Sequence, residues 1–187
     1  MAETRAVAGT RAAELLQREM PDAIVRRSTA MGEEILWLRR ERIADAVTLL
    51  RDHTETRYTM PVFVTAVDWP DREPEEPRYD VVYELRSLEY NDTCRLIVQV
   101  PEDDPHVPTL ENVYAGMDWH ERECYDLLGI VFDGHHGLKR ILLPEDWEGH
   151  PLRKDYVSFG EPIAFTHNIE WALPEAERPS DLPGEHR

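Results

Sequence analysis

The chain has 187 residues, 41% of them hydrophobic and 32% charged, which is enough for one buried core with irregular ends. A formal net charge of -17 surrounds every basic spot with a repelling field and argues against nucleic acid as a partner. The longest apolar runs, 35–38 and 60–67, fall far short of the roughly 20 residues that cross a bilayer, and the opening MAETRAVAGTRAAELL has no apolar signal core, so a soluble, cytoplasmic chain is expected.

Thr10 can cap a short helix whose Ala12, Leu15, Leu16 and Met20 share a face, and Pro21 closes it. Two short apolar runs follow, Ile24-Val25 and 35–38, the second feeding a helix over 41–52 with Ile43, Val47 and Leu50 on one stripe. Three β-type runs come next, at 61–67, 80–88 and 93–100. In the second, Val81, Tyr83 and Leu85 alternate with Val82, Glu84 and Arg86; in the third, Cys94, Leu96, Val98 and Val100 alternate with Thr93, Arg95, Ile97 and Gln99. Period two around Glu-Tyr-Asn-Asp predicts an antiparallel hairpin with one polar face. The intervening 69–77, with Pro70, Pro74 and Pro77 among acidic residues, reads as a solvated loop.

Pro101, Pro105 and Pro108 make 101–109 an extended linker, after which Thr109 can cap a helix over 110–128, interrupted near Gly116 and stopped by Gly129. Beyond Gly129 the periodicity fades. The segment 161–187 is proline-rich and polar apart from Ile163, Phe165, Ile169 and Trp171, which are expected to anchor it on a partner or on its own domain. The fold class is therefore α+β: a small helix and antiparallel-sheet domain over 1–130, then a long irregular C-terminal extension over 131–187 that docks on partners.

No phosphate-binding glycine loop, G-x-S-x-G elbow or H-E-x-x-H pair is present. Two cysteines, Cys94 and Cys124, are too few for a four-thiolate cluster and read as small buried hydrophobes. On the helix, Asp118 and Asp126 stand four residues either side of Arg122 and can share its guanidinium. His120 and Cys124 lie at i and i+4, with His135 and His136 beyond the turn, a set that would suit zinc without any C-x-x-C or H-x-x-H clasp. The pairs Lys139-Arg140 and Arg153-Lys154 are local positive spots that fit carboxylates of a partner protein.

The stretch 121–156, ERECYDLLGIVFDGHHGLKRILLPEDWEGHPLRKDY, resembles the 30-kilodalton subunit family of respiratory NADH:quinone oxidoreductase, complex I. The family signature is met by Glu121, Arg122, Glu123, Asp126, Leu127, Leu128, His135, Lys139, Ile141 and Leu142. The likeness continues through Pro144-Glu-Asp-Trp147 and Gly149 to Tyr156, with Arg153, Lys154 and Asp155, and upstream through 66–70, 81–85 and 100–105. His120, Cys124 and His136 depart from the usual family residues, which weakens the zinc set, and Leu128 replaces a usual Phe.

The resemblance implies a subunit without catalytic residues, cofactor or metal of its own, in the quinone-reducing part of the peripheral arm. It would pack against the 49-kilodalton and small iron-sulfur subunits on the cytoplasmic side of the cell membrane. FMN, iron-sulfur clusters and quinone would sit in partner subunits, and electron transfer and proton transport would belong to the assembly. The signature positions with Arg153, Lys154 and Asp155 would serve docking, and Ile163, Phe165, Ile169 and Trp171 would touch partners. Two other readings stand beside this one: the same module in a ferredoxin- or F420-linked dehydrogenase or membrane-bound hydrogenase, and a zinc-dependent enzyme using His120, Cys124, His135 and His136.

Overall fold

A computed structural model describes residues 11–30, 33–73 and 75–156. Helix α1 (Arg11–Glu19) buries Ala12, Ala13, Leu15 and Leu16, the face that the apolar spacing predicts, while the expected cap Thr10 lies outside the described residues. A 3-10 turn at Pro21–Ala23 leads into strands β1 (Ile24–Ala30) and β2 (Glu33–Leu38). Helix α2 (Ile43–Asp52) buries Ile43, Ala46, Val47 and Leu50. Strands β3 (Met60–Asp68), β4 (Tyr79–Ser87) and β5 (Asp92–Val100) follow, then a short β6 (His106–Pro108), helix α3 (Met117–Leu128) and a short β7 (Val131–Asp133).

The main sheet has five strands in the order β1-β2-β5-β4-β3. The expected hairpin is β4 and β5, in antiparallel register from Tyr79↔Val100 to Ser87↔Asp92. Its turn places Asn91 at φ 48°, a left-handed position that asparagine tolerates, and the Asn91 side chain accepts from Arg86 at 2.7 Å. Strand β2 joins β5 in parallel, Leu36 opposite Leu96, because the polypeptide crosses over through α2 and the β3-β4 pair before returning. That parallel pairing has no signature in the alternating pattern itself.

One face of the sheet carries Leu36, Leu38, Val64, Val81, Tyr83, Leu85, Cys94, Leu96, Val98 and Val100, all joined with the buried sides of α1, α2 and α3 in one core. Both cysteines are free and buried, as expected of small hydrophobes. The opposite face is laced by charge. Glu84 accepts from Arg95 at 2.6 Å, and Asp80 accepts from Arg72, Gln99 and the Trp69 indole. The 69–77 loop is thus largely solvated, as predicted, but Arg72 and Trp69 bring it back onto β4.

Two features of the 101–133 region differ from the expectation. The linker contains β6, which pairs in parallel with β7 from His106↔Val131 to Pro108↔Asp133. Helix α3 begins only at Met117; residues 110–115 form turns, with Gly116 at the boundary. One compact unit runs on past residue 130 to Asp155.

Candidate functional site

Helix α3 and the segment 134–155 form the site. The helix ends at Gly129, φ 77°, whose N–H bonds the Tyr125 carbonyl in a left-handed cap. The remaining carbonyls of the last turn, which a helix leaves without internal partners, are taken up by the returning chain. Asp126 O accepts from Arg140 Nη1 at 3.1 Å and faces His150 Nδ1 at 2.9 Å. Leu127 O accepts the Leu152 N–H at 3.0 Å, and Leu128 O accepts from Arg153 Nε at 2.7 Å. The clasp leaves no space at Gly129, where a Cβ would lie 2.4 Å from Arg153 Nη2 and 2.7 Å from the His150 ring.

The Asp126 side chain is the second half of this clasp. Fully buried, it accepts the N–H groups of Ile141, Leu142 and Leu143 at 2.9, 2.8 and 2.9 Å and pairs with Arg140 Nη1 at 2.7 Å. Burial pushes its pKa up, yet the three amides and the guanidinium prevail and hold it at about 2. Arg140 completes its fork on the carbonyls of Trp147 and Gly149, both at 3.0 Å. One carboxylate and one guanidinium therefore shape 140–150, a stretch with no helix or strand of its own.

Glu121 occupies the other side of α3 and is also fully buried. It accepts the Leu110 N–H at 2.7 Å and the Thr109 hydroxyl, fastening the helix to the turn after β6. Burial dominates here: it raises the carboxyl to about 7, against the lowering pull of those two donors. Thr109 does cap the following turn, accepting from Glu111 N–H at 3.1 Å.

The segment 153–155 closes on the sheet. Asp68, at the end of β3, takes Arg78 in a two-bond fork of 2.7 and 2.9 Å and accepts the Lys154 N–H at 2.8 Å. Asp155 pairs with Arg78 at 2.9 Å. Burial would raise the Asp68 carboxyl, and its bonds to Arg78 and Lys154 lower it below the usual range.

Arg122 is half-buried and donates to the carbonyls of Lys139 at 3.2 Å and Arg140 at 3.3 Å. The expected ion pair with Asp118 or Asp126 is replaced, because Asp126 turns inward to Arg140 and Asp118 lies 3.1 Å from His135 Nε2. Glu123, Lys139, Lys154 and Leu142 are exposed, Leu142 by 62%. The expected zinc set does not come together: Cys124 is buried with Sγ directed at the Val64 carbonyl, 3.6 Å away, and the histidines gathered with a carboxylate are His135 and His136 beside Glu111, without His120. Ile163, Phe165, Ile169 and Trp171 lie outside the described residues.

Sequence reasoning missed Asp68, Arg78, Arg140 and His150 as site-builders. Arg140 was legible only as half of a basic dipeptide. The Asp68–Arg78 fork depends on the β3-β4 register, which sets Asp68 opposite Tyr79, and its one trace in the sequence is opposite charge flanking the two strand ends. A cleft of about 760 Å³ beside the 69–77 loop is lined by Trp69, Arg72, Arg78, Glu102 and Asp103 among others, with no imidazole, thiol or hydroxyl nucleophile among its lining residues.

Together these features define a class: a small α+β module whose most distinctive segment is locked to its own domain by its own charges. The match of residues 36–162 to the model of the respiratory-chain NADH dehydrogenase 30 Kd subunit places the chain in that family. It is 44% identical over 155 residues to the NADH-quinone oxidoreductase C subunit of Roseiflexus sp. (strain RS-1), covering 83% of this chain and 87% of that one. Against the C subunit of Mycolicibacterium gilvum (strain PYR-GCK) it is 43% identical over 146 residues, 78% of this chain and 63% of the relative. Among solved structures, the trypsin-resistant fragment 1-134 of Nqo5 matches with TM-score 0.57 and 28% identity, over 69% of this chain and all (100%) of the fragment. A chain of an archaeal membrane-bound sulfane sulfur reductase shares the fold, with TM-score 0.65, 18% identity and coverage of 92% and 96%. The chain is thus a complex I 30-kilodalton-type subunit, and no helix among its described residues is long and apolar enough to cross a membrane.

Proposed function

We propose that this chain is a cofactor-free scaffold of the quinone-reducing part of the peripheral arm, seated on the 49-kilodalton and small iron-sulfur subunits at the cytoplasmic side of the membrane. FMN, iron-sulfur clusters and quinone are held by partner subunits, and this chain fixes how its neighbours sit around the electron path. The observation that carries this reading is the clasp of 140–155 onto α3 by Asp126 and Arg140. It engages Asp126, Arg140, His150 and Arg153 internally, while the large apolar side chains of Trp119, Leu142 and Leu152 are exposed by 60, 62 and 53%. Rigid backbone carrying exposed apolar side chains is what a permanent interface needs, since such interfaces resemble a core cut in two.

Gentle isolation of the tagged chain from native membranes tests this. The NADH- and flavin-binding subunits should travel with it, together with the 49-kilodalton and small iron-sulfur subunits. Recovery of the last two without any NADH- or flavin-binding subunit would move the chain to a ferredoxin- or F420-linked relative or a membrane-bound hydrogenase. Recovery of the chain alone, from membranes in which the complex is intact, would remove the scaffold reading.

A further inference from the structure

The turn after β7 sets two adjacent imidazoles beside a carboxylate from the turn before α3. The rings of His135 and His136 stack, 5.4 Å between centroids and 6° from parallel. Glu111 reaches both: Oε2 accepts the His136 N–H at 3.0 Å and lies 3.8 Å from His135 Nδ1, while Oε1 pairs with His136 Nδ1. One ligand atom from each of the three residues lies within 4.8 Å of the others.

What surrounds these atoms points to a ligand as well. The His135 side chain is completely buried, with Nε2 3.1 Å from Asp118 Oδ1. The ring nitrogen Nε2 faces the Asp118 backbone carbonyl at 3.4 Å, and a histidine that gives one ring N–H to a carbonyl has its tautomer fixed and its other nitrogen made more basic, the usual support behind a metal-binding imidazole. The other nitrogen, Nδ1, accepts the Gly137 N–H at 3.0 Å and lies 3.8 Å from Glu111 Oε2, so an ion bound there takes over the lone pair that the amide now holds. His136 is 70% exposed against 18% for Glu111, which leaves the site one open side for an incoming ion and its water.

We propose that Glu111, His135 and His136 bind a divalent transition ion of the zinc type, with water as the remaining ligand. Two imidazoles and a carboxylate are a donor set suited to such an ion and less suited to magnesium or calcium, which prefer oxygen. The ion takes the place of the proton between Glu111 and His136. Its role is structural: it joins the turn entering α3 to the turn leaving β7, so both flanks of the helix are tied. This inference is independent of which complex hosts the chain.

The test is a calorimetric titration of the metal-free full-length chain with zinc near neutral pH, alongside thermal unfolding with and without zinc. One saturable site is expected, with an unfolding temperature that rises with zinc by mass action. Glu111→Gln and His136→Ala should each weaken binding by at least about tenfold, whereas His120→Ala should leave it unchanged. Because His136 is largely exposed, His136→Ala should unfold at the wild-type temperature without zinc, which separates lost binding from lost fold. Absence of saturable binding, wild-type affinity in His136→Ala, or loss of binding in His120→Ala would each overturn the assignment.

Discussion

Two buried carboxylates on one helix have opposite electrostatic fates, and the donors around them explain why. Asp126 receives three amides and a guanidinium, so it remains ionised to about pH 2; Glu121 receives one amide and one hydroxyl, too little to offset burial, and titrates near 7. Removing Asp126 leaves Arg140, only 14% exposed, without its counter-charge, and orphans three backbone amides. Asp126→Ala should therefore cost about 3 to 5 kcal/mol, as for breaking a buried pair, in urea unfolding of the chain; a loss under about 1 kcal/mol would mean that 140–150 is not held by this group. The stability that Asp126 contributes is present above the usual carboxylate range and is lost as pH falls through about 2. Glu121 has the opposite sign. Between its ordinary 4.5 and its folded value of about 7, the folded chain keeps a proton that the unfolded chain has released, so stability falls as pH rises across that window. The shift corresponds to about 3 kcal/mol. Comparing wild type with Glu121→Gln from pH 4.5 to 8, the variant should gain on wild type by roughly that amount; parallel pH profiles would show that Glu121 does not titrate in this window.

At the scale of elements, α3 is held more by what returns to it than by its own propensity. Its last turn is closed by Gly129 and then by His150, Leu152 and Arg153, so the glycine is required twice, by its positive φ and by the nearby Arg153 and His150 side chains. An alanine there meets a backbone penalty of roughly 1 to 2 kcal/mol before any movement of Arg153. Gly129→Ala should lower the unfolding free energy by at least that amount and loosen amide protection at Leu152; protection unchanged at Leu152 would argue against the clasp. Much of this architecture was legible in the chain. The stripes of α1 and α2, the β4-β5 alternation and the stop at Gly129 each rest on local patterns, which sequence records directly. The β2-β5 and β6-β7 parallel pairs, the Asp68–Arg78 fork and the Asp126–Arg140 pair were not, because each joins residues brought near only by tertiary packing. Arg122 illustrates the limit: helical spacing offered it Asp118 and Asp126, yet both were engaged by groups from the following segment, and it took backbone carbonyls instead.

For the whole molecule, the question is whether the segment 121–155 is built for folding or for assembly, and the geometry separates the two by residue. Glu121, Asp126, Arg140 and Arg153 turn inward while Glu123, Lys139 and Lys154 face solvent, so altering Asp126 or Arg140 disturbs the chain before it meets any partner. Trp119 and Leu142 are more than half exposed, and surface changes away from special features usually alter stability by no more than about 0.5 kcal/mol. In a scaffold seated on neighbouring subunits those side chains become interface core, where a buried unpaired charge is strongly unfavourable. Leu142→Asp and Trp119→Asp should thus leave the isolated chain as stable as wild type while reducing the amount of assembled complex in membranes. On the scaffold proposal, turnover per assembled complex should stay near the wild-type value. Native gels scored for assembled complex, with quinone reduction normalised to that amount, distinguish the outcomes: full assembly with low normalised turnover would assign the surface a direct part in the chemistry.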